Sequence, residues 1–258
     1  MSVNITNTHL KAAEKFVARA YSNGGLAPLN IEKFWADQGI AQADPFSEKC
    51  PQVPLGIMMS HECMFAELGI PEDWHKLVHD AGYCAAMAKK YNDKSEKIVG
   101  RRLLTETKGD PILAWPKIKE LYDIFEAENI WHQDSYWLKE SAHNEDELKA
   151  LLDRVEKRLE NLRPFLLPEN WDSEKERLLK LGAKVPLYKH QRGPITFAMS
   201  IYGIENLIYT IADNPDIAER FRGLILKAML ERAAILDEEA GYKKGTAPRG
   251  FYFSDDNC

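Results

Sequence analysis

The stretch NPDIAERFRGLILKAMLERAAILDEEAG, near the carboxyl end, constrains the fold more than any other part of the chain. Asn214 is a preferred helix-capping residue, and Pro215 stands at the first helical position, where its missing N–H is not needed. Gly241 supplies a common stop signal just after the last turn. The pattern predicts one long helix whose two ends are both marked in the sequence.

Strand-like segments flank this helix. The segment AKVPLYKHQRGP is a predicted strand running into a loop, Pro194 opens the apolar stretch ITFAMSIYGIENLIYTIA, and RGFYFSD follows the long helix as a further strand. Strands that alternate with helices are typical of a parallel α/β sheet or barrel, whose strands are covered on both faces. Because no helix follows RGFYFSD, we expect the chain to be truncated inside its domain after this strand.

The rest of the chain is interpreted as a cap and the start of the same barrel. Residues 1–50 predict an N-terminal helical cap, and residues 51–258 predict the α/β barrel domain. Three further strands are predicted upstream, in VPLGIMM, KIVGRRLLTET and IWHQDSYWLKES, and a long helical pattern separates the first two. Helices are also predicted in NEDELKALLDRVEKRLENL and in DSEKERLLKLG, where Gly182 serves as a C-cap.

Composition excludes several functional classes. The formal net charge is −6 and the basic residues are scattered, which argues against nucleic-acid binding and a polybasic membrane contact. No apolar run approaches the roughly 18 residues of a spanning helix, and the N-terminus lacks a signal-peptide pattern, so a cytoplasmic location is expected. The four cysteines show no CxxC spacing, which favours reduced thiols over a disulfide or zinc framework.

Between RGPITFAM and FYFSDD the chain resembles the uroporphyrinogen decarboxylase superfamily. Members share a Gly-Pro-x-Thr loop after a barrel strand, an Asn-Pro helix start, a long helix ending in Ala-Gly and a strand ending in acidic residues. The resemblance covers roughly residues 142–258 and includes the helix DELKALLDRVEK. The matching residues are Gly193, Pro194, Thr196, Asn214, Pro215, Ala240, Gly241, Asp255 and Asp256.

This resemblance implies a (β/α)8 TIM barrel that is incomplete in this chain. It also implies one of two chemistries: decarboxylation of uroporphyrinogen in tetrapyrrole biosynthesis, or methyl transfer from a corrinoid to a small acceptor activated by zinc. The decarboxylases carry an Arg-Gln-Ala-Gly-Arg motif that is absent here, so the preferred hypothesis is a corrinoid-linked methyltransferase-like enzyme. The alternatives are the decarboxylase and a catalytically inactive fragment or binding module, which docks a corrinoid protein or forms a homodimer through exposed strand edges.

The candidate catalytic residues stand at the ends of the two C-terminal strands. Asp255 and Asp256 are adjacent carboxylates whose mutual repulsion can raise one pKa, although a capping or turn-forming pair is an equal alternative. His190 is a candidate for proton transfer, with a local hydrogen bond as the alternative.

The candidate ligand-binding residues are mostly basic or amide-bearing. Such groups at a strand end suit an anionic or amide-bearing ligand. Gly193 permits close backbone approach to a ligand, with a simple turn as an equal alternative. In GRRLL only one of the two adjacent arginines can face a pocket, because side chains alternate along a strand. The predicted ligand-binding residues are Lys189, Gln191, Arg192, Gly193, Thr196 and Arg102.

Two other groups have both a functional and a structural interpretation. His75 and His79 share one helix face, but Lys76 stands where a zincin would have its glutamate, so no metal site is predicted; HEC at 61–63 has zinc-ligand spacing at the wrong place in the chain. Trp131, Tyr136 and Trp137 can line a flat tetrapyrrole pocket, with core packing as the favoured alternative.

Overall fold

A computed structural model describes residues 6–24, 30–55, 61–107, 109–187, 190–247 and 252–255. The chain divides into two compact units, residues 1–108 and residues 109–258. Within the described ranges it is mostly helical, and its four short strands form two separate two-stranded sheets. The prediction of a (β/α)8 TIM barrel is therefore wrong.

The described part of the first unit contains helices and no strands. Its core packs Met64, Phe65, Leu77, Met87 and Tyr91 together. The helices are α1 (Asn7–Ser22), α2 (Ile31–Ala43), α3 (His61–Leu68), α4 (Trp74–His79) and α5 (Ala81–Val99).

The predicted strand KIVGRRLLTET is wrong for a local reason. Ile98 and Val99 continue the helical turns of α5, and the helix ends at Gly100, which adopts a left-handed conformation with φ of 69°. Asn92 then accepts hydrogen bonds from the backbone N–H groups of Leu103 and Leu104. A buried side chain thus takes the backbone donors that a neighbouring strand would have paired.

The predicted strand VPLGIMM lies only partly within the described residues. Residues 53–55 form no strand, and residues 56–59 lie outside the described ranges. The side-chain oxygen of Gln38, a buried residue of α2, accepts a hydrogen bond from the backbone N–H of Leu55 at 3.1 Å. The Gln38 side chain thus takes a backbone N–H group that a neighbouring strand would have paired.

The second unit contains seven helices, four strands and a short 3₁₀ turn (Pro111–Leu113) in its described part. Its core includes the buried faces of α7 and α12, and the Phe125 ring packs against those of Phe197 and Phe221. The elements are α6 (Leu121–Ile124), β1 (Glu128–His132), β2 (Ser135–Lys139), α7 (Glu145–Leu159), α8 (Leu162–Leu166), α9 (Trp171–Lys180), β3 (His190–Arg192), α10 (Pro194–Tyr202), α11 (Ile204–Asp213), α12 (Pro215–Glu239) and β4 (Tyr252–Ser254).

The third predicted upstream strand, IWHQDSYWLKES, is an antiparallel hairpin rather than a barrel strand. A two-residue turn at Gln133 and Asp134 joins β1 to β2, and Ile130 lies opposite Trp137 in the register. Gln133 adopts a positive φ of 53°, which a two-residue hairpin turn requires at its first position in the type II′ form. The chain therefore reverses in the middle of the predicted strand.

The two predicted C-terminal strands and the long helix between them are present: AKVPLYKHQRGP contains β3, and RGFYFSD contains β4. Strand β3 pairs in parallel with β4, with Gln191 opposite Phe253, and three helices connect the two strands. This arrangement is a single parallel crossover. The sheet contains only this pair among the described residues, so the barrel expected from the same elements is not formed.

No single helix in the described ranges is long and apolar enough to cross a membrane. Helices α10 and α11 together pass the test of length and composition, but they meet at an angle of 106°.

Candidate functional site

A cleft of about 890 Å³ lies in the second unit beside the β1–β2 hairpin, and we call it the hairpin cleft. Its walls come from β2, the ends of β3 and β4, helix α10 and the start of α11. The lining residues are Ser135, Tyr136, Trp137, Leu138, Glu140, Arg192, Thr196, Met199, Ser200, Gly203, Ile204 and Ser254.

A smaller pocket of about 260 Å³ adjoins the hairpin cleft. The two share Tyr136, Leu138 and Arg192 as lining residues. Tyr122 also lines the smaller pocket, and its partial burial raises the pKa of its phenol. Arg192 therefore stands at the junction of two neighbouring concave surfaces.

Arg192 is the positively charged group common to both surfaces. It is partly buried at the end of β3, and its Nη1 donates a hydrogen bond to Ser200 Oγ at 2.7 Å. No carboxylate of the described residues forms an ion pair with it. A guanidinium has five N–H donors in a planar fork, so Arg192 retains donors for an anionic ligand.

The acidic residues that line these surfaces are engaged elsewhere. Glu120 Oε2 pairs with Nη2 of the buried Arg232, and Glu140 Oε2 lies 3.2 Å from His143 Nδ1. Since neither carboxylate is paired with Arg192, the positive charge at the junction is not cancelled by an ion pair within the described lining.

Asp255, a predicted catalytic residue, caps helix α10 from the end of β4. Its Oδ2 accepts the backbone N–H of Ile195 at 3.0 Å, and its Oδ1 accepts both the backbone N–H and the hydroxyl of Thr196 at 2.9 and 2.5 Å. Burial raises the pKa of Asp255, but the hydrogen bonds from Thr196 and Ile195 outweigh burial and leave the pKa below its ordinary value. These contacts support the capping alternative that the sequence left open.

Gly193 is the residue that lets β4 approach α10. A Cβ added to Gly193 would lie 2.3 Å from the Cβ of Asp255, and its backbone N–H donates to Ser254 O at 2.5 Å. The close approach to a ligand expected at this glycine stays a prediction, and the close neighbour in the structure is Asp255, a residue of the same chain.

The remaining predicted site residues are distributed differently. Gln191 is buried, donates from Nε2 to the Met229 carbonyl at 3.2 Å and lines the smaller pocket. Lys189, Asp256 and the His190 side chain lie outside the described residues. Thr196 lines the hairpin cleft. The structure brings five of the predicted site residues together around the ends of β3 and β4: Gln191, Arg192, Gly193, Thr196 and Asp255.

Arg102 belongs to the other unit. Its guanidinium forms ion pairs with Asp93, Glu96 and Glu106, and these hydrogen-bonded carboxylates raise its pKa further. This network occupies the donors that a ligand would need.

The aromatic residues of the hairpin are more exposed than the favoured core interpretation implied. Tyr136 is 43% exposed and Trp137 is 56% exposed, and both line the hairpin cleft. Trp131 packs edge-on against Tyr136, with ring centroids 5.1 Å apart. The turn inside the predicted strand was the missed signal, since it places these rings on a hairpin instead of a buried barrel strand.

The predicted absence of a metal site remains a prediction. In the part of the chain that the structure describes, no group of three or more His, Cys, Asp or Glu residues is placed to hold an ion. His75 and His79 stack with ring centroids 4.3 Å apart, and Cys63 is exposed.

Comparison with known proteins adds no family assignment. No protein-family model matches the chain, and no curated protein or solved structure is similar to it at a significant level.

Proposed function

We propose that this protein binds a small organic anion with a flat ring in the hairpin cleft, with Arg192 as the anion-binding residue. The observation that carries the proposal is the Arg192 guanidinium, which lines both concave surfaces and has no carboxylate partner among the described residues. Charge-assisted hydrogen bonds from a guanidinium to a carboxylate are among the strongest in proteins.

The shape and lining of the cleft support a ring-bearing ligand. Tyr136 and Trp137 present large exposed aromatic surfaces on one wall, while Met199 and Ile204 supply apolar surface elsewhere. Aromatic rings stack favourably on other flat ring systems, and ligand sites commonly combine such surfaces with a few polar groups. The volume of about 890 Å³ lies within the usual range for small-molecule sites.

The reaction remains a prediction. Methyl transfer linked to a corrinoid and decarboxylation of a tetrapyrrole both follow from the resemblance alone, and both would use a planar or carboxylate-bearing ligand. The binding proposal depends on neither reaction, so it can be tested first.

The test compares two probes that share the naphthalene ring, one carrying a carboxylate and the other a neutral hydroxymethyl group. We would titrate 2-naphthoate and the neutral 2-naphthalenemethanol into the full chain and follow tryptophan fluorescence and heat of binding. Naphthoate is expected to bind about tenfold to 150-fold more tightly, because one charge-assisted hydrogen bond contributes on the order of 1.5–3 kcal/mol.

Matched variants locate the site. Arg192→Gln should abolish the preference for the anion, whereas Arg222→Gln should keep it, because Arg222 is an exposed residue of α12 paired with Glu219. Equal affinity of the wild-type protein for the two probes, or an equal loss of preference in both variants, would contradict the proposal.

A further inference from the structure

A continuous set of hydrogen bonds connects the end of β4 to the Arg192 guanidinium. Asp255 Oδ1 accepts the Thr196 hydroxyl at 2.5 Å, the Thr196 carbonyl accepts the Ser200 hydroxyl at 2.7 Å, and Ser200 Oγ accepts Arg192 Nη1 at 2.7 Å. We propose that Asp255 and Ser200 are positioning residues that hold the Arg192 guanidinium in the orientation that binds the anion. This inference rests on the proposed function.

Ser200 sets the direction of the last bond in this set. A serine hydroxyl has a single proton, and in α10 that proton goes to the carbonyl of Thr196, four residues earlier. The oxygen lone pairs of Ser200 are then available to the Nη1 donor of Arg192. Ser200 therefore acts as an acceptor toward Arg192, and its hydroxyl cannot rotate to compete as a donor without losing the helix carbonyl.

Asp255 holds the first turn of α10, on which Thr196 lies. The first N–H groups of a helix have no partner within the helix and depend on a cap. Gly193, the residue before α10, makes no capping bond from a side chain, and Asp255 supplies the acceptors from 60 residues away in sequence at Ile195. Loss of these acceptors would loosen the turn that carries the Thr196 carbonyl.

Arg192 and the residue that restrains it stand at the ends of two paired strands. Strand β3 carries Arg192 directly, and β4 carries Asp255, which restrains Arg192 through α10. The parallel pairing of β3 with β4 fixes the spacing between the two. A restrained guanidinium loses less conformational freedom when the anion binds, which strengthens binding without a new contact.

The test uses the ratio of the two probe affinities, since general damage to the cleft changes both affinities together. Ser200→Ala is expected to reduce the preference for 2-naphthoate over 2-naphthalenemethanol about threefold to tenfold. Ser200→Thr keeps the hydroxyl and should restore the wild-type ratio. Ser173→Ala is the matched control, because the Ser173 hydroxyl also donates to a backbone carbonyl but lies in α9, away from the cleft.

Asp255→Asn tests the far end of the hydrogen-bond set. It should reduce the ratio of the two affinities by a similar factor. It should also lower the melting temperature, because an amide nitrogen, which donates, would replace the carboxylate oxygen that accepts the Ile195 N–H. Should this variant fail to fold, Ser200→Ala still decides the question.

The outcomes separate this inference from the proposed function. An anion preference that requires Arg192 but is unchanged in Ser200→Ala would overturn the positioning role and leave the binding function intact. No anion preference in the wild-type protein would overturn both.

Discussion

The Asp255 side chain occupies the space that a side chain on Gly193 would fill. An added Cβ at Gly193 would lie 2.3 Å from Asp255 Cβ and 2.6 Å from Asp255 Oδ2. Because Gly193 at the end of β3 has no side chain, Asp255 at the end of β4 can reach and cap α10.

Gly193→Ala is expected to destabilise the protein by about 2–3 kcal/mol, because overpacking at a buried backbone contact forces the two strand ends apart. Chemical denaturation measures the change. Gly223→Ala is the control: Gly223 lies inside α12 with no atom within 4 Å of its added Cβ, so alanine there should stabilise by about 0.5–1 kcal/mol. Equal effects of the two substitutions would contradict the close approach at Gly193.

Glu239 is a buried carboxylate that links α12 to α8 and α9. It accepts hydrogen bonds from Arg163 Nε at 2.7 Å, Trp171 Nε1 at 2.8 Å and Lys175 Nζ at 2.9 Å. Burial raises its pKa, but the bonds from Lys175, Trp171 and Arg163 outweigh burial and bring the pKa to about 2.

This lowered pKa predicts a loss of stability in acid. The native pKa of Glu239 is below its ordinary value of 4.5, so its contribution is fully present above pH 4.5 and is lost as the pH falls toward 2. The loss should be about 3 kcal/mol. Glu239→Gln should lower the free energy of unfolding at neutral pH by a similar amount and flatten its dependence on pH between 4.5 and 2.

The control for this prediction is Glu219→Gln, at an exposed carboxylate paired with Arg222. It should change the acid profile much less, because solvent screens exposed pairs. A Glu239→Gln profile that retains the full wild-type slope would show that other groups cause the acid sensitivity.

The hairpin turn contains a residue in an unfavourable conformation. Gln133 has a φ of 53°, a region that glycine enters without steric cost. Gln133→Gly should raise the free energy of unfolding by about 0.5–1 kcal/mol. Asp134→Gly, at the neighbouring turn position with ordinary φ, should instead destabilise, and thermal melting curves of the two variants distinguish these signs.

Trp137 is predicted to contribute to ligand binding rather than stability, since it lines the cleft and is 56% exposed. Trp137→Ala should weaken 2-naphthoate binding about threefold to tenfold, as expected for the loss of one aromatic pair. The melting temperature should change little. Tyr209→Ala removes an aromatic ring that is 65% exposed on α11 and does not line the cleft, so it should leave binding unchanged.

Local signals predicted several elements well. Asn214, Pro215 and Gly241 delimit α12 closely, and the acidic first turn of NEDELKALLDRVEK lies at the start of α7. These predictions succeed because start and stop residues and helical periodicity act over one or two turns, although the Asn214 side chain donates to Glu145 and does not cap α12. KIVGRRLLTET was predicted wrongly because an apolar run this short fits the end of a helix as well as a strand.

The sequence by itself determined both ends of α12 and the start of α7, because the residues that mark these positions stand next to the helix in the chain. It also predicted that Gln191, Arg192, Thr196 and Asp255 lie near the ends of two strands, and their role in a binding site remains a prediction. Only the tertiary structure decided that two of the strands form a hairpin and that Asp255 caps α10 from 60 residues away. The physical reason is that pairing partners and caps distant in sequence are selected by which surfaces pack together, and a local pattern does not contain that information.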